Sequence, residues 1–228
     1  MKHKYKLAIL LLLLLSKTGY TQTSSFQIGT QVPLMYSVGY NYETKNKVAL
    51  NMQAGVLTRP YDQAILQVLK KFGTNEVLVN TIGEAFDYGL IVQPSIKYNF
   101  NSYYAGITYS SYTLVARETP KNAIESYYGV RMPPGVNSSP LRVQSHLSNA
   151  GLLFGRKFGF DNSKVELLLE FSLQKTFYSK SNVSAKYSGV AGCCDSSSLN
   201  NMVDKELNDY YLEYGYLPSI NIFLLIPL

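Results

Sequence analysis

Apolar and polar residues alternate with a period of two along much of the chain. From Phe26 to Tyr42 every even position is apolar, aromatic or threonine, whereas the odd positions are mostly glycine, serine, asparagine or glutamine. Because successive side chains of a β-strand point to opposite faces, this pattern predicts strand structure with one apolar face. The alternation resumes from Val48 to Val56 after the segment Glu43 to Lys47, which predicts a β-hairpin.

The hairpin pattern recurs twice, and a final strand is predicted at the end of the chain. A two-residue turn at Asp161-Asn162 would pair Phe158 with Val165 on the apolar face. The same register would place Lys157 directly opposite Glu166 on the polar face. The further predicted strands cover residues 90–98, 103–109, 150–158, 165–173 and 218–228, with turns at Asn99 to Ser102 and Phe160 to Ser163.

The composition of the polar face distinguishes a water-facing sheet from the interior of a barrel. This face consists mainly of small and amide side chains with few charges, which suits a crowded barrel interior. The opposite face is a continuous apolar band with aromatic residues beside the short turns, as in lipid-facing surfaces with aromatic girdles. The sequence therefore predicts an all-β fold, an antiparallel up-and-down transmembrane β-barrel. The polar-face charges are Lys97, Lys157, Glu166 and Glu170, and the turn-flanking aromatics include Tyr42, Tyr98, Tyr103 and Phe158.

This assignment of the two faces predicts different responses to an introduced charge. Leu169 lies on the predicted apolar face and Leu168 on the polar face. An arginine at mid-bilayer on the lipid face costs about 2–4 kcal/mol, whereas a lumen accepts polar groups. We therefore expect arginine at Leu169 to block insertion far more than arginine at Leu168.

The lengths of the connections differ between the two ends of the predicted barrel. The turns at Glu43 to Lys47, Asn99 to Ser102 and Phe160 to Ser163 are short, and all of them are expected at one end. Residues 58–88, 116–145 and 179–216 form long connections at the other end. Outer-membrane barrels have short periplasmic turns and longer outer loops. The alternating strands, aromatic girdles and one-sided long loops resemble the small OmpX-like and PorT-like outer-membrane barrels of Gram-negative bacteria. This resemblance implies outer-membrane lipid and the assembly machinery as partners. A protein partner of unknown identity is a further possibility.

The strand count leaves one strand unassigned. The alternation gives seven strands, whereas bacterial single-chain barrels have an even number. We expect eight, with the missing strand arising either from a split of the first segment near Pro33 or from a weak strand at Val183 to Tyr187.

The N-terminal segment has the features of an export signal. Lys2, Lys4 and Lys6 precede an unbroken apolar run from Leu7 to Leu15, and cleavage is predicted after Thr21. Residues 1–21 are thus predicted to be a signal peptide and residues 22–228 the barrel domain. Without the leader the chain is almost neutral, so its basic composition does not indicate nucleic-acid binding.

The long connections contain predicted helices. Apolar residues near Ile65, Leu78 and Ala123 recur at helical spacing, and a fourth helix is predicted from Leu199 to Tyr214, ending at Gly215. We expect these helices to cover the barrel rim, with binding of a partner or lipid as the alternative.

Residues that could support catalysis or metal binding are few. His146 is the only histidine beyond the leader, and its neighbour Ser145 would point the opposite way in a strand. Cys193 and Cys194 could form a vicinal disulfide or cross-link partners in an oxidising compartment. No recognised metal-ligand spacing occurs, and neither a metal nor a cofactor is predicted. Glu166 and Glu170, about 13 Å apart at the usual strand rise, are better lumen counter-ions to Lys97 and Lys157 than an acid–base pair.

These observations predict a non-enzymatic outer-membrane barrel whose loops serve surface interaction, envelope integrity or a secretion or uptake partner. An eight-stranded barrel is just wide enough for its own side chains, so a general diffusion pore is not expected. Two alternatives remain open: a membrane-embedded lipid-modifying enzyme that uses Ser145, His146 or a loop acid, and a soluble secreted lipid-binding barrel.

Overall fold

A computed structural model describes residues 23–58, 61, 86–117, 142–160, 163–184 and 196–228. The described residues form strands and one long helix. The strands are β1 (Thr23–Val32), β2 (Met35–Glu43), β3 (Val48–Leu57), β4 (Phe86–Phe100), β5 (Tyr103–Arg117), β6 (Arg142–Gly159), β7 (Glu166–Ser184) and β8 (Tyr216–Pro227), and the helix is α1 (Ser196–Tyr214).

The eight strands form a closed antiparallel barrel in chain order. Each strand pairs with the next, and β1 pairs with β8 through a register that places Phe26 opposite Ile226. Closure removes the unpaired edges that an open sheet would expose. The predicted eight-stranded up-and-down barrel is therefore confirmed.

The eighth strand comes from a split of the first alternating segment. Pro33 and Leu34 connect β1 to β2, and Thr30 pairs with Tyr36 across this turn. The alternative strand at 183–187 is wrong, because Val183 and Ser184 are the last two residues of β7 and pair with β6; residues 185–187 lie outside the described ranges.

The two ends of the barrel differ in their connections. The short-turn end contains the turns after β2, β4 and β6, together with Thr23 and Pro227. The long-loop end contains the connections after β3, β5 and β7. The Pro33–Leu34 turn also lies there, because Val32 pairs with Ile220 near the start of β8. The expectation that all tight turns share one end is therefore wrong for this turn.

The turn between β6 and β7 is wider than predicted. Phe158 pairs with Leu167 and Lys157 with Leu168, so the ladder is shifted by two residues from the predicted register. The amide of Ser163 donates to the carbonyl of Phe160 at 3.1 Å, which forms a turn beyond the last strand pair. Lys157 and Glu166 are therefore not cross-strand partners. The shift by an even number keeps every side chain on its predicted face.

The outward face of the strands is apolar, and the inward face fills the lumen. Leu169 points outward and is 45% exposed, whereas Leu168 points inward and is 3% exposed. Leu168 packs in an apolar cluster with Leu153 and Phe223. An arginine there would disrupt this packing, so Leu168 is not the tolerant position that the alternation indicated.

Strands β4 to β7 extend beyond the rest of the barrel at the long-loop end. β8 starts opposite Lys175, so the later residues of β7 pair with β6 alone. Helix α1 lies against this part of β7, where the Ser179 hydroxyl donates to Asn208 Oδ1 at 2.9 Å. The amide of Thr176 donates to the carbonyl of Gly215 at 2.8 Å, which fixes the end of the helix. The helix predicted at 199–214 is thus confirmed, and it covers an otherwise open strand edge.

A glycine on β6 makes room for the largest buried ring of the lumen. A Cβ atom on Gly155 would lie 2.4 Å from Cζ of Tyr104 and 2.5 Å from its hydroxyl oxygen. Tyr104 is 1% exposed and cannot move toward solvent. The close packing of the Tyr104 ring against β6 therefore requires glycine at position 155.

We expect Gly155→Ala to destabilise the barrel by about 1–3 kcal/mol, the usual range for overpacking. The measurement is the urea unfolding midpoint of the refolded barrel. Gly159→Ala is the matched control, because no atom lies within 4 Å of a Cβ built there. Combining Gly155→Ala with Tyr104→Leu should add less loss to that of Tyr104→Leu than Gly155→Ala causes alone, with a remainder from the Leu169 carbonyl oxygen 2.9 Å from the new Cβ. Additive losses would contradict the steric explanation.

Candidate functional site

The lumen is packed with side chains at three levels between the two ends. An apolar level toward the short-turn end has Phe223 at its centre, with an exposure of 0%. This cluster closes the lumen on that side. Its members are Tyr104, Leu153, Leu168, Phe223 and Leu225.

The middle level holds a buried ion pair. Lys97 Nζ lies 2.7 Å from Glu170 Oε2, and both side chains are almost fully buried. The amide of Asn221 donates to Glu170 Oε1 at 2.7 Å, and the Ser219 hydroxyl donates to Asn221 Oδ1 at 2.8 Å. Lys97 Nζ also lies 4.9 Å from the centre of the Tyr104 ring. The carboxylate therefore has a charge partner and an amide donor, which a buried charge requires.

A second ion pair crosses the lumen near the short-turn end. Lys157 Nζ lies 2.8 Å from Glu43 Oε2, with side chains 17% and 27% exposed. β6 and β2 are on opposite sides of an eight-stranded barrel, so this pair spans its diameter. Glu166, the partner expected for Lys157, instead pairs in the ladder with Gly159.

Amide and hydroxyl side chains form two hydrogen-bonded chains around these charges. The first connects β1 and β3 and runs from Gln31 through Gln53 and Asn51 to Gln27, with donor–acceptor distances of 3.0, 2.8 and 2.7 Å. The second connects β5, β6 and β7 through Thr176, Asn149, Ser110 and Gln174. These chains cross-link strands through the lumen and stabilise one arrangement of the barrel.

The level nearest the long-loop end is apolar and is capped by α1. Tyr211 of α1 packs on a cluster that contains Met35, Leu57, Ile91, Tyr112 and Leu147. Burial raises the pKa of Tyr211, and a hydrogen bond with Ser145 opposes this shift. The Tyr211 side chain therefore packs over this cluster as a neutral phenol at neutral pH.

Ser145 and His146 do not form a nucleophile–base pair. The Ser145 hydroxyl is buried under the cap and lies 2.9 Å from that of Ser181. His146 is exposed on the opposite face of β6, with its ring nitrogens 3.1 Å from Thr113 Oγ1 and 3.2 Å from Gln144 Nε2. Among the described residues, the side chains that hydrogen-bond to His146 are Thr113 and Gln144, and neither is an acid that could orient the imidazole as a base.

Several predicted features lie outside the described residues, namely the signal peptide, Cys193 and Cys194, and the loop helices near Ile65, Leu78 and Ala123. Within the described ranges, no group of three or more His, Cys, Asp or Glu side chains could hold a metal ion. No helix in the part of the chain described is long and apolar enough to cross a membrane.

Solved structures of outer-membrane proteins are similar to this chain. A major outer membrane protein from Thermus thermophilus superposes with a TM-score of 0.51 at 9% identity, covering 92% of this chain and 100% of that one. CarO of Acinetobacter baumannii gives a TM-score of 0.40 at 13% identity, covering 90% of this chain and 96% of that one. No family model matches the chain, and no curated protein matches its sequence. The chain shares the fold of a small outer-membrane barrel.

For three residues of the lumen, the sequence pattern missed either the position or the role. The alternation assigns Glu43 to a turn, although its odd position continues the inward face of β2. Asn221 falls on the polar face of β8 in that pattern, but nothing there marks it as a donor to Glu170. Tyr211 belongs to the predicted helix, yet the helical pattern does not reveal where that helix docks.

Proposed function

We propose that this chain spans the outer membrane of a Gram-negative-type bacterium as a barrel with a closed lumen. The observation that carries this proposal is an apolar outward face on all eight strands around a polar, hydrogen-bonded lumen. A soluble barrel has the opposite arrangement, because water contacts its outer surface. Exposed apolar patches of this extent mark a surface that another apolar phase covers.

The height of the apolar band supports this proposal. Tyr98, Tyr103 and Phe158 are exposed near the short-turn end, whereas Phe177 and Tyr216 are exposed near the other border. The segment of β7 from residue 167 to 177 spans about 25 Å at a rise of about 3.3 Å per residue and a tilt of about 40°. Outer-membrane barrels have an apolar band about 25 Å tall between aromatic girdles.

The proposed role is non-enzymatic and lies at the long-loop end, through surface interaction, envelope integrity or contact with a secretion or uptake partner. The filled lumen and the α1 cap weigh against a diffusion pore. The separation of Ser145 from His146 weighs against a lipid-modifying enzyme that uses this pair. A closer relation to the OmpX-like or PorT-like barrels stays a prediction.

The proposed orientation places the short turns in the periplasm and α1 outside the cell. With Cys193 and Cys194 replaced by serine, a cysteine at the exposed Asp209 of α1 should react in intact cells with a thiol reagent that cannot cross the outer membrane. A cysteine at Asn46, in the turn after β2, should react only after lysis. The measurement is the labelled fraction before and after lysis.

The reverse labelling pattern would contradict this orientation and move the α1 surface to the periplasm. Labelling of both sites in the soluble fraction would instead support a secreted lipid-binding barrel. The membrane form should also migrate faster on gels before boiling than after it, because a detergent-stable barrel stays compact.

A further inference from the structure

The charges described on the outward face of the strands are all basic, whereas the inward face carries both signs. Among strand residues with described side chains, the acids Glu43, Glu166 and Glu170 lie on the inward face. The charges on the outward face are basic: Arg156 near the short-turn end, and Lys175 and Lys180 near the long-loop end. The outward bases take no part in the inward ion pairs, which Lys97 and Lys157 form with Glu170 and Glu43.

The outward charges near the long-loop end form one patch on the strands that extend beyond the barrel. Lys180 pairs with His146, and His146 pairs with Thr113, so these residues form a row across β7, β6 and β5. Lys180 and His146 are exposed. Lys180 has no ion pair among the described residues. We call Lys175, Lys180 and His146 the basic patch.

The basic patch lies directly above the apolar band. Lys175 Nζ is held 3.9 Å above the centre of the Tyr216 ring and donates to the carbonyl of Glu213 at 3.3 Å. Lys175 thus marks the border of the band, where a basic side chain reaches from apolar surroundings to polar ones. Lys180 lies four ladder steps further along β7, because the strand has a bulge at Phe177, which makes it about 10 Å higher for a rise of about 3.3 Å and a tilt of about 40°. The patch therefore spans the layer that lipid headgroups occupy beside such a border.

We propose that the basic patch binds phosphate groups of lipid headgroups in the leaflet at the long-loop end. This inference rests on the proposed function, because only a membrane-spanning barrel brings headgroups to this height. Lysine ammonium groups bind phosphate as point charges, and the imidazole and Thr113 hydroxyl add hydrogen-bonding groups on the same face. The acids with described side chains on α1 are Asp204, Asp209 and Glu213, and Glu213 contacts Lys175 through its backbone carbonyl.

The test compares lipid retention by the full refolded chain in native mass spectrometry. The probes are phosphatidic acid and phosphatidylcholine with identical acyl chains. The Lys175→Gln/Lys180→Gln variant should lose about fivefold in affinity for phosphatidic acid per lysine, about 25-fold together, since each basic group near a membrane surface contributes at this scale. Affinity for phosphatidylcholine should not change. The matched control, Lys47→Gln/Lys164→Gln, removes the same charge from exposed turns at the other end.

Three outcomes would overturn the inference: equal loss in the control, no loss in the patch variant, or displacement of the lipid by excess inorganic phosphate. The last outcome would identify a site for free phosphate. Insertion into phosphatidylcholine vesicles is scored separately by gel mobility before boiling. A chain that does not insert counts against the proposed function, whereas an inserted variant with unchanged lipid preference counts against the basic patch alone.

Discussion

Replacing Phe171 by arginine is expected to prevent insertion of the barrel into a bilayer. Phe171 is 52% exposed on the outward face and pairs with Phe154 and Ile220, which are also exposed. It lies midway between the two aromatic borders, where an arginine costs about 2–4 kcal/mol. Leu169 is a weaker test position, because it pairs with the outward Arg156 near the short-turn border. The measurement is the fraction inserted into vesicles, scored by protease protection and gel mobility.

Asn182→Arg is the matched control for this substitution. Asn182 is exposed on the outward face of the same strand, beyond the border marked by Lys175. The control should insert as the unchanged chain does, because the new charge stays in water. Equal insertion of both variants would contradict the membrane assignment. Higher solubility of Phe171→Arg without detergent would favour a soluble barrel.

The first segment shows why faces are easier to predict than turns. Two residues connect β1 to β2, so Thr30 pairs with Tyr36 and even positions stay outward in both strands. The alternation therefore continues without a break through Pro33 and has the appearance of a single long strand. A proline within such a run is the available signal, because its missing N–H does not fit a central ladder.

The turn after β6 shows why the predicted register is wrong. Phe158 could face either Val165 or Leu167, and both registers place apolar residues together on the outward face. The alternation cannot distinguish registers that differ by two residues. The amide of Val165 donates to the Ser163 hydroxyl at 3.0 Å, which favours the wider turn. This local hydrogen bond cannot be read from the hydrophobic pattern.

Contacts across the lumen are the least predictable part of the site. The partners Lys157 and Glu43 are 114 positions apart in the chain. Their contact depends on the tilt of the strands and on how β1 joins β8, because both determine which residues share a level. The sequence could therefore place Lys97, Lys157 and Glu170 on the inward face, but it missed Glu43 and gave Lys157 the wrong partner.

The second large effect is expected from the ion pair in the middle of the lumen. Lys97→Met should destabilise the barrel by about 3–5 kcal/mol, because it leaves the buried Glu170 carboxylate without its charge partner. Lys157→Met should lower stability by less than about 1 kcal/mol, because its pair with Glu43 is partly exposed to water. The measurement is the urea unfolding midpoint of each barrel refolded in the same vesicles.

The variant Lys97→Met/Glu170→Gln distinguishes loss of a charge partner from loss of packing. Neutralising both members removes the uncompensated charge, and replacing a buried pair by neutral groups is often harmless. The amide at position 170 can still accept the hydrogen bond from Asn221, which donates to Glu170 at 2.7 Å. The double variant should therefore recover most of the stability lost in Lys97→Met. If it is no more stable than the single variant, the lysine stabilises the lumen by filling space beside Tyr104, and the electrostatic explanation is wrong.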